Sequence, residues 1–152
     1  MSVGQLFNRF VAVWFIALLT SAAAMAQPVF NAVVSPGTVG AGNLSTLNYT
    51  IDNSGSASIA LDATFSTTLP AGMTFQGDPE VDTDCVGAVV SAPSGGTTLS
   101  FADADIAAGS LCQIVLNVAA SSSGTITSGD LTSIPGNSGP TSTTLTVNAE
   151  QV

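Results

Sequence analysis

The sequence predicts an all-β fold, an antiparallel β-sandwich of about eight or nine short strands behind a removable leader. Three observations carry the prediction. From Gln27 onward the chain consists of short runs rich in Val, Ile, Thr, Leu and Phe, each bounded by Gly, Pro, Ser, Asn or Asp, the composition of strands and turns. Several runs alternate apolar with small or polar residues, the period of two that a half-buried strand requires. No stretch reads as a helix, and neither an internal repeat nor a domain-sized break in composition divides the chain. A closed barrel is the alternative, because strand count does not separate the two.

The leader comes first. Arg9 precedes an apolar run from Phe10 to Leu19, and small residues then end in Ala24-Met25-Ala26 before Gln27. This is the form of a secretory signal peptide over residues 1–26, cut between Ala26 and Gln27, with a single domain over 27–152. The fully apolar stretch is about ten residues where a spanning helix needs roughly twenty, so no integral membrane anchor is expected after cleavage.

The strands follow in order. Leu44, Leu47, Tyr49 and Ile51 lead into Asp52-Asn53-Ser54-Gly55, a turn cluster whose Asx side chains can bond nearby backbone. Ile59, Leu61, Ala63, Phe65 and Thr67 alternate with small or polar residues, which places all five on one face. Leu69-Pro70-Ala71-Gly72 turns the chain into Met73-Thr74-Phe75-Gln76. Val86 to Ser91 and Thr97 to Phe101 flank Ser94-Gly95-Gly96, a hairpin connection. Ile114, Leu116 and Val118 define one deeply buried face, and Gly124 to Leu131 and Thr143 to Val147 are the last candidates. With no Lys to guard open sheet edges, Asp, Pro, Gly bulges or a neighbouring domain must do so.

Charge narrows the function. The chain holds ten Asp and Glu, one Lys or Arg and no His, for a net charge of −9, and the single basic residue, Arg9, leaves with the leader. Such a chain repels nucleic acid and anionic lipid. A Ser-His-Asp triad and a Ser-Lys dyad are impossible, and Ser94-Gly95-Gly96 lacks the Lys of a phosphate loop.

In order and spacing, Phe30, Ser35-Pro36, Gly40, Leu44 to Ile51 and Asn53, then Phe65, Thr68-Leu69-Pro70-Ala71-Gly72-Met73, Cys85, Gly87, Ala107-Ala108-Gly109-Ser110, Cys112, Ile114 and Val118 form a recognisable succession. The succession resembles one unit of the immunoglobulin-like or prealbumin-like β-sandwich repeats of bacterial secreted and cell-surface proteins, a family of domains of unknown function. The resemblance implies an immunoglobulin-like sandwich and no particular reaction. It also implies a bacterial protein that is secreted, extracellular or at the cell surface, with the periplasm as an alternative. Thr67-Thr68 departs from the Asp-Thr common at that point in such repeats, and this sequence contains one unit rather than an array.

Cys85 and Cys112 are the only cysteines. An even count in an exported protein reads as a disulfide, and the resembling repeats carry a pair at these two places. The alternatives, a metal site or a catalytic thiol, lack the His that zinc or a thiolate base would use.

The densest charge is Asp78-Pro79-Glu80-Val81-Asp82-Thr83-Asp84, just before Cys85. In an extended backbone Asp78, Glu80, Asp82 and Asp84 project to one side, and a Cys85–Cys112 bridge would bring Asp103 and Asp105 near. Oxygen ligands of this kind suit Ca²⁺; the plain reading is a solvated acidic loop without a cofactor. Paired carboxylates can also hydrolyse glycosides, but little aromatic surface is present for a sugar to stack on.

The expectation is therefore a non-enzymatic extracellular structural, adhesive or interaction module with an unidentified protein or glycan surface partner. A Ca²⁺-dependent binding module is the alternative, and a carboxylate-dependent hydrolase the remoter one.

Overall fold

The computed structural model describes residues 26–81, 85–134 and 136–149. The leader expected over residues 1–26 lies outside them up to residue 25, and Ala26 and Gln27 are exposed and irregular. The described residues form eleven strands and no helix: β1 (Val29–Ser35), β2 (Thr38–Gly40), β3 (Leu44–Asp52), β4 (Ala60–Thr68), β5 (Met73–Val81), β6 (Val89–Ser91), β7 (Thr98–Ile106), β8 (Leu111–Ala120), β9 (Gly124–Thr127), β10 (Thr132–Ile134) and β11 (Ser142–Asn148). The count exceeds the expected eight or nine because β2, β6 and β10 are three-residue pieces too short to carry a periodic signal.

One layer is the sheet β1-β3-β8-β5 and the other is built from β10-β4-β7-β6 and β2-β11-β9. Ser128, just past β9, bridges Thr67 of β4, so β9 and β10 run successively along β4 and join the last two sheets. Pairing is antiparallel except between β2 and β11. That parallel pair arises where the chain, after β1, passes Ser35-Pro36-Gly37 and changes layer; the Ser35–Pro36 peptide is cis. The immunoglobulin-like sandwich expected from the sequence is the fold observed.

Three of the sheet edges, at β5, β6 and β2, are interrupted without lysine. The ladder of β5 to β8 breaks between Gln76 and Glu80, around Gly77 at φ 78°. β6 is short and soon followed by Pro93, and β2 is short and preceded by Pro36-Gly37. Each device interrupts the row of free amides and carbonyls that would otherwise template another strand.

Strand phase departs from the sequence reading in β4. Ala63, Phe65 and Thr67 face the core as expected, but Ile59 and Leu61 are exposed and Ala60 is buried. Two residues of β4 stand against one of β7 around Leu61-Asp62, and Asp62 takes φ 54°. A bulge of this kind shifts the alternation by one residue, so the period of two does not run through it. In β3 the phase is regular. Ser45, Leu47, Tyr49 and Ile51 point inward, and Leu44 lies on the outer face; the buried Ser45 donates its Oγ hydrogen to the Pro36 carbonyl at 2.6 Å.

Between the layers Phe30 of β1 and Tyr49 of β3 meet Phe65 of β4, which in turn meets Phe101 of β7, with ring centroids 4.7 to 5.7 Å apart. Tyr49 is fully buried, and its hydroxyl shares a hydrogen bond of 2.9 Å with Thr67 Oγ1 across the layers. At the end of β3 the buried Asn53 donates through Nδ2 to the carbonyls of Ser58, Ile106 and Ala107 at 2.9 to 3.2 Å. Its own backbone amide donates to Ser110. Asn53 thereby ties the β3–β4 turn to the β7–β8 turn, satisfying carbonyls that burial would otherwise penalise. Asp52 beside it accepts from the Ser54 amide at 2.8 Å, the Asx turn expected here. The hydrogen bonds from Ser54 hold its carboxyl below the ordinary carboxylate pKa.

Cys85 and Cys112 are disulfide-bonded, with Cα atoms 5.0 Å apart, and both are buried. The bridge ties the segment leaving β5 to the start of β8. For a loop of about 28 residues the chain-entropy relation gives roughly 3.6 kcal/mol. A Cys85→Ala, Cys112→Ala double variant should lose about 3 to 4 kcal/mol in denaturant unfolding, with a larger m-value because its unfolded chain is less constrained.

Burial pushes the Tyr49 phenol up from 10.0 to about 12, against a smaller opposing effect of the Thr67 hydrogen bond. The folded state thus keeps a proton that the unfolded chain loses near pH 10. The stabilisation is complete below that pH and is lost as pH rises toward 12, at about 1.4 kcal/mol per unit. With no Lys or His and both cysteines bridged, no other side chain titrates in that window. Tyr49→Phe should be about 1 kcal/mol less stable at neutral pH, from the lost hydrogen bond, yet show no decline between pH 10 and 12.

Candidate functional site

Of the acidic residues singled out from the sequence, Asp78 and Glu80 lie in the last part of β5 and Asp103 and Asp105 on β7. Glu80 is in register with Val115 of β8. The break in the ladder between Gln76 and Glu80 means that the regular alternation assumed for this run does not extend back through Asp78. Asp82 and Asp84 lie outside the described residues. Cys85 is bonded to Cys112, and Val86 bridges Asp105 of β7, whose amide donates to the Val86 carbonyl at 2.8 Å. The disulfide and this bridge together carry the chain from the first layer to the second, beside Asp103 and Asp105.

On β7 the two aspartates flank a pair of facing bulges. Asp62 of β4 and Asp103 of β7 take φ 54° and 61°, the left-handed region that Asp tolerates better than most residues. Asp105 Oδ1 accepts the Asp62 amide at 3.2 Å, and Thr64 Oγ1 donates to the Asp62 carbonyl at 3.1 Å while accepting the Asp103 amide at 3.5 Å. The bonds resolved for Asp105 and Thr64 thus serve the backbone of the bulges. Among the described residues no three of His, Cys, Asp and Glu stand close enough together to hold a metal ion.

Toward the opposite end no described residue is charged. A shallow cleft of about 220 Å³ is lined by Gly42, Gly72, Thr74, Ala119, Ala120 and Ser121. Its shape follows from its glycines. Gly72 takes φ 83°, and a side chain there would run into Ser121 and Ser122, whose hydroxyls bond the Gly72 and Ala71 carbonyls. Among the described residues no carboxylate, thiol or imidazole lines this cleft, which offers shape and hydrogen bonds.

Sequence reasoning passed over this end. The signal was available in the outward phase of β3, where Leu44, Thr46, Asn48 and Thr50 alternate with the core residues, but the cleft depends on turns that meet only in three dimensions. Leu44 and Ala119 are register partners, so the exposed Leu44 stands next to the recess.

No curated protein sequence matches this chain. Among solved structures, the fold is similar to that of BcpA, the major pilin subunit of Bacillus cereus, with a TM-score of 0.58 and 9% identity. That match covers 80% of this chain and 41% of the pilin subunit, so the chain spans about two fifths of its length. It is also similar to BslA, a bacterial hydrophobin, with a TM-score of 0.51 and 15% identity over 84% of this chain and 98% of the other. Identities this low establish a shared fold, one found in structural proteins of bacteria. Sequence comparison goes further: residues 28–147, running from just before β1 to the penultimate residue of β11, match a family model, and the chain belongs to the family described as domain of unknown function DUF7933.

Proposed function

We propose that this chain is an extracellular structural or adhesive module of a bacterial surface, without enzymatic activity and exported by a leader removed between Ala26 and Gln27. One observation carries most weight: a disulfide-clamped sandwich whose described surface offers hydroxyls, amides and carboxylates but no amine, imidazole or free thiol. Such a surface can adhere, space or stack, but lacks the groups that most catalysis by side chains requires. The pilin subunit and the hydrophobin that share the fold support the same reading, as structural proteins by name. A repeat-type surface unit, with a protein or glycan as partner, is the more specific form of the proposal.

A Ca²⁺-dependent binding module using the acidic run from Asp78 to Asp84 is a second reading, which rests on the density of carboxylates in the sequence. It predicts that about 1 mM Ca²⁺ releases or absorbs heat and raises the melting temperature; neither change would leave a solvated acidic loop.

Expression in a bacterial host with an intact export pathway, followed by cell fractionation and N-terminal sequencing, tests the main proposal. The protein is expected outside the cytoplasm, beginning at Gln27 and without free thiols. Because the exported chain then contains neither Lys nor Arg, trypsin should leave it whole even when reduced and unfolded. A cytoplasmic protein with two free thiols that trypsin cuts after Arg9 would contradict the proposal.

A further inference from the structure

We propose that Gln27 is a modification site: in the exported chain it closes to pyroglutamate, its γ-lactam, and the ring sits on Gly136. The proposal rests on the leader reading given above, which makes Gln27 the terminal residue.

The chemistry follows from the residue type. Once the bond to Ala26 is cut, the α-amino nitrogen of Gln27 lies within reach of the amide on its own side chain. The nitrogen attacks Cδ; the N–Cδ bond forms, the Cδ–Nε2 bond breaks, a proton passes from the amine to Nε2, and ammonia leaves. No oxidant, reductant or further reactant is consumed. From Gln27 to Val152 the sequence contains no Lys, Arg or His, so the α-amine is the last cationic group that the exported chain holds. Ring closure removes it, as acetylation of a terminus does.

The fold provides a seat for the ring. Gln27 is exposed, whereas Pro28 is buried and Val29 opens β1. Chain ends fray unless they are tied down. Here the Pro28 carbonyl accepts the Ser138 Oγ hydrogen, and the Ser138 amide donates to the Leu131 carbonyl at 2.8 Å. Gly136 belongs to the same segment, its carbonyl accepting from Ser133 Oγ, and the Gln27 side chain lies against it. A Cβ at residue 136 would stand 2.9 Å from Gln27 Cγ, 2.9 Å from Nε2 and 3.2 Å from Cδ. Non-bonded carbon atoms pack at about 3.5–4.0 Å, so it is the glycine that gives this side chain its place. Cγ and Cδ are both atoms of the lactam, and only Nε2 is lost on closure.

The modification suits an extracellular chain. Proteolysis concentrates at termini, and aminopeptidases work from a free α-amine that the lactam withholds.

The exported protein, kept for days at neutral pH, is tested by intact mass and by an amine-reactive label applied after unfolding. Its mass should lie about 17 Da, the mass of ammonia, below that of the disulfide-bonded chain from Gln27 to Val152, with residue 27 read as the first by fragmentation in the mass spectrometer. It should take no label, because no amine remains, whereas Gln27→Ala should be labelled at its terminus. Nuclear magnetic resonance should show the ring γ protons in contact with the Gly136 α protons. Gly136→Ala should lose that contact at an unchanged melting temperature, since the added methyl displaces only the terminal residue. A chain that begins at Gln27 and still takes the label overturns this inference and leaves the leader reading standing. A chain that begins at any other residue overturns both, and a lactam without the contact to Gly136 overturns the seat.

Discussion

No ion pair can hold the two layers of this protein together. Ten carboxylates face a single arginine in the whole sequence, so electrostatics between side chains is a repulsion to be contained. Cohesion falls to apolar contact between the layers, and its centre is the row of Phe30, Tyr49, Phe65 and Phe101. Tyr49 joins the layers by both kinds of contact, its ring packed on Phe65 and its hydroxyl on Thr67. Aromatic pairs of this geometry contribute roughly 0.5 to 1.5 kcal/mol each beyond their burial, a substantial share of a small domain's stability.

The same constraint arranges the rest. Charge is concentrated where β5 leaves the first layer, and there the chain is held by means insensitive to repulsion: the Cys85–Cys112 bond, backbone bonds across the facing bulges and the carbonyls gathered by Asn53. The far end, where no described residue bears a carboxylate, carries an open cleft and an exposed leucine.

Much of this fold is legible from period and punctuation. β3 and β8 are long and regular, and their alternation reads correctly from Leu47 to Ile51 and from Ile114 to Val118. Legibility ends where the backbone departs from regularity. The bulge at Asp62 reverses the phase of Ile59 and Leu61, and three-residue strands such as β10 have no period to read. The acidic run was visible as composition, and the passage of the chain toward Asp105 followed from supposing the disulfide. Asn53 was visible as a turn residue, but its reach to Ile106 and Ala107 depends on a turn more than fifty residues away. The cleft beside Leu44 was invisible, because Gly42, Gly72 and Ala119 come from three separate parts of the chain.

A fold held by apolar packing and loaded with charge of one sign resists close approach of one copy to another. Charge acting between side chains only opposes folding in this protein. The most direct test is the melting temperature of the dilute exported protein at neutral pH as ionic strength rises from about 0.02 to 0.5 M. The account predicts a steady increase, equal with sodium chloride and tetramethylammonium chloride, as screening relieves repulsion. A melting temperature that falls with salt would reveal attractive charge interactions within the fold and contradict it.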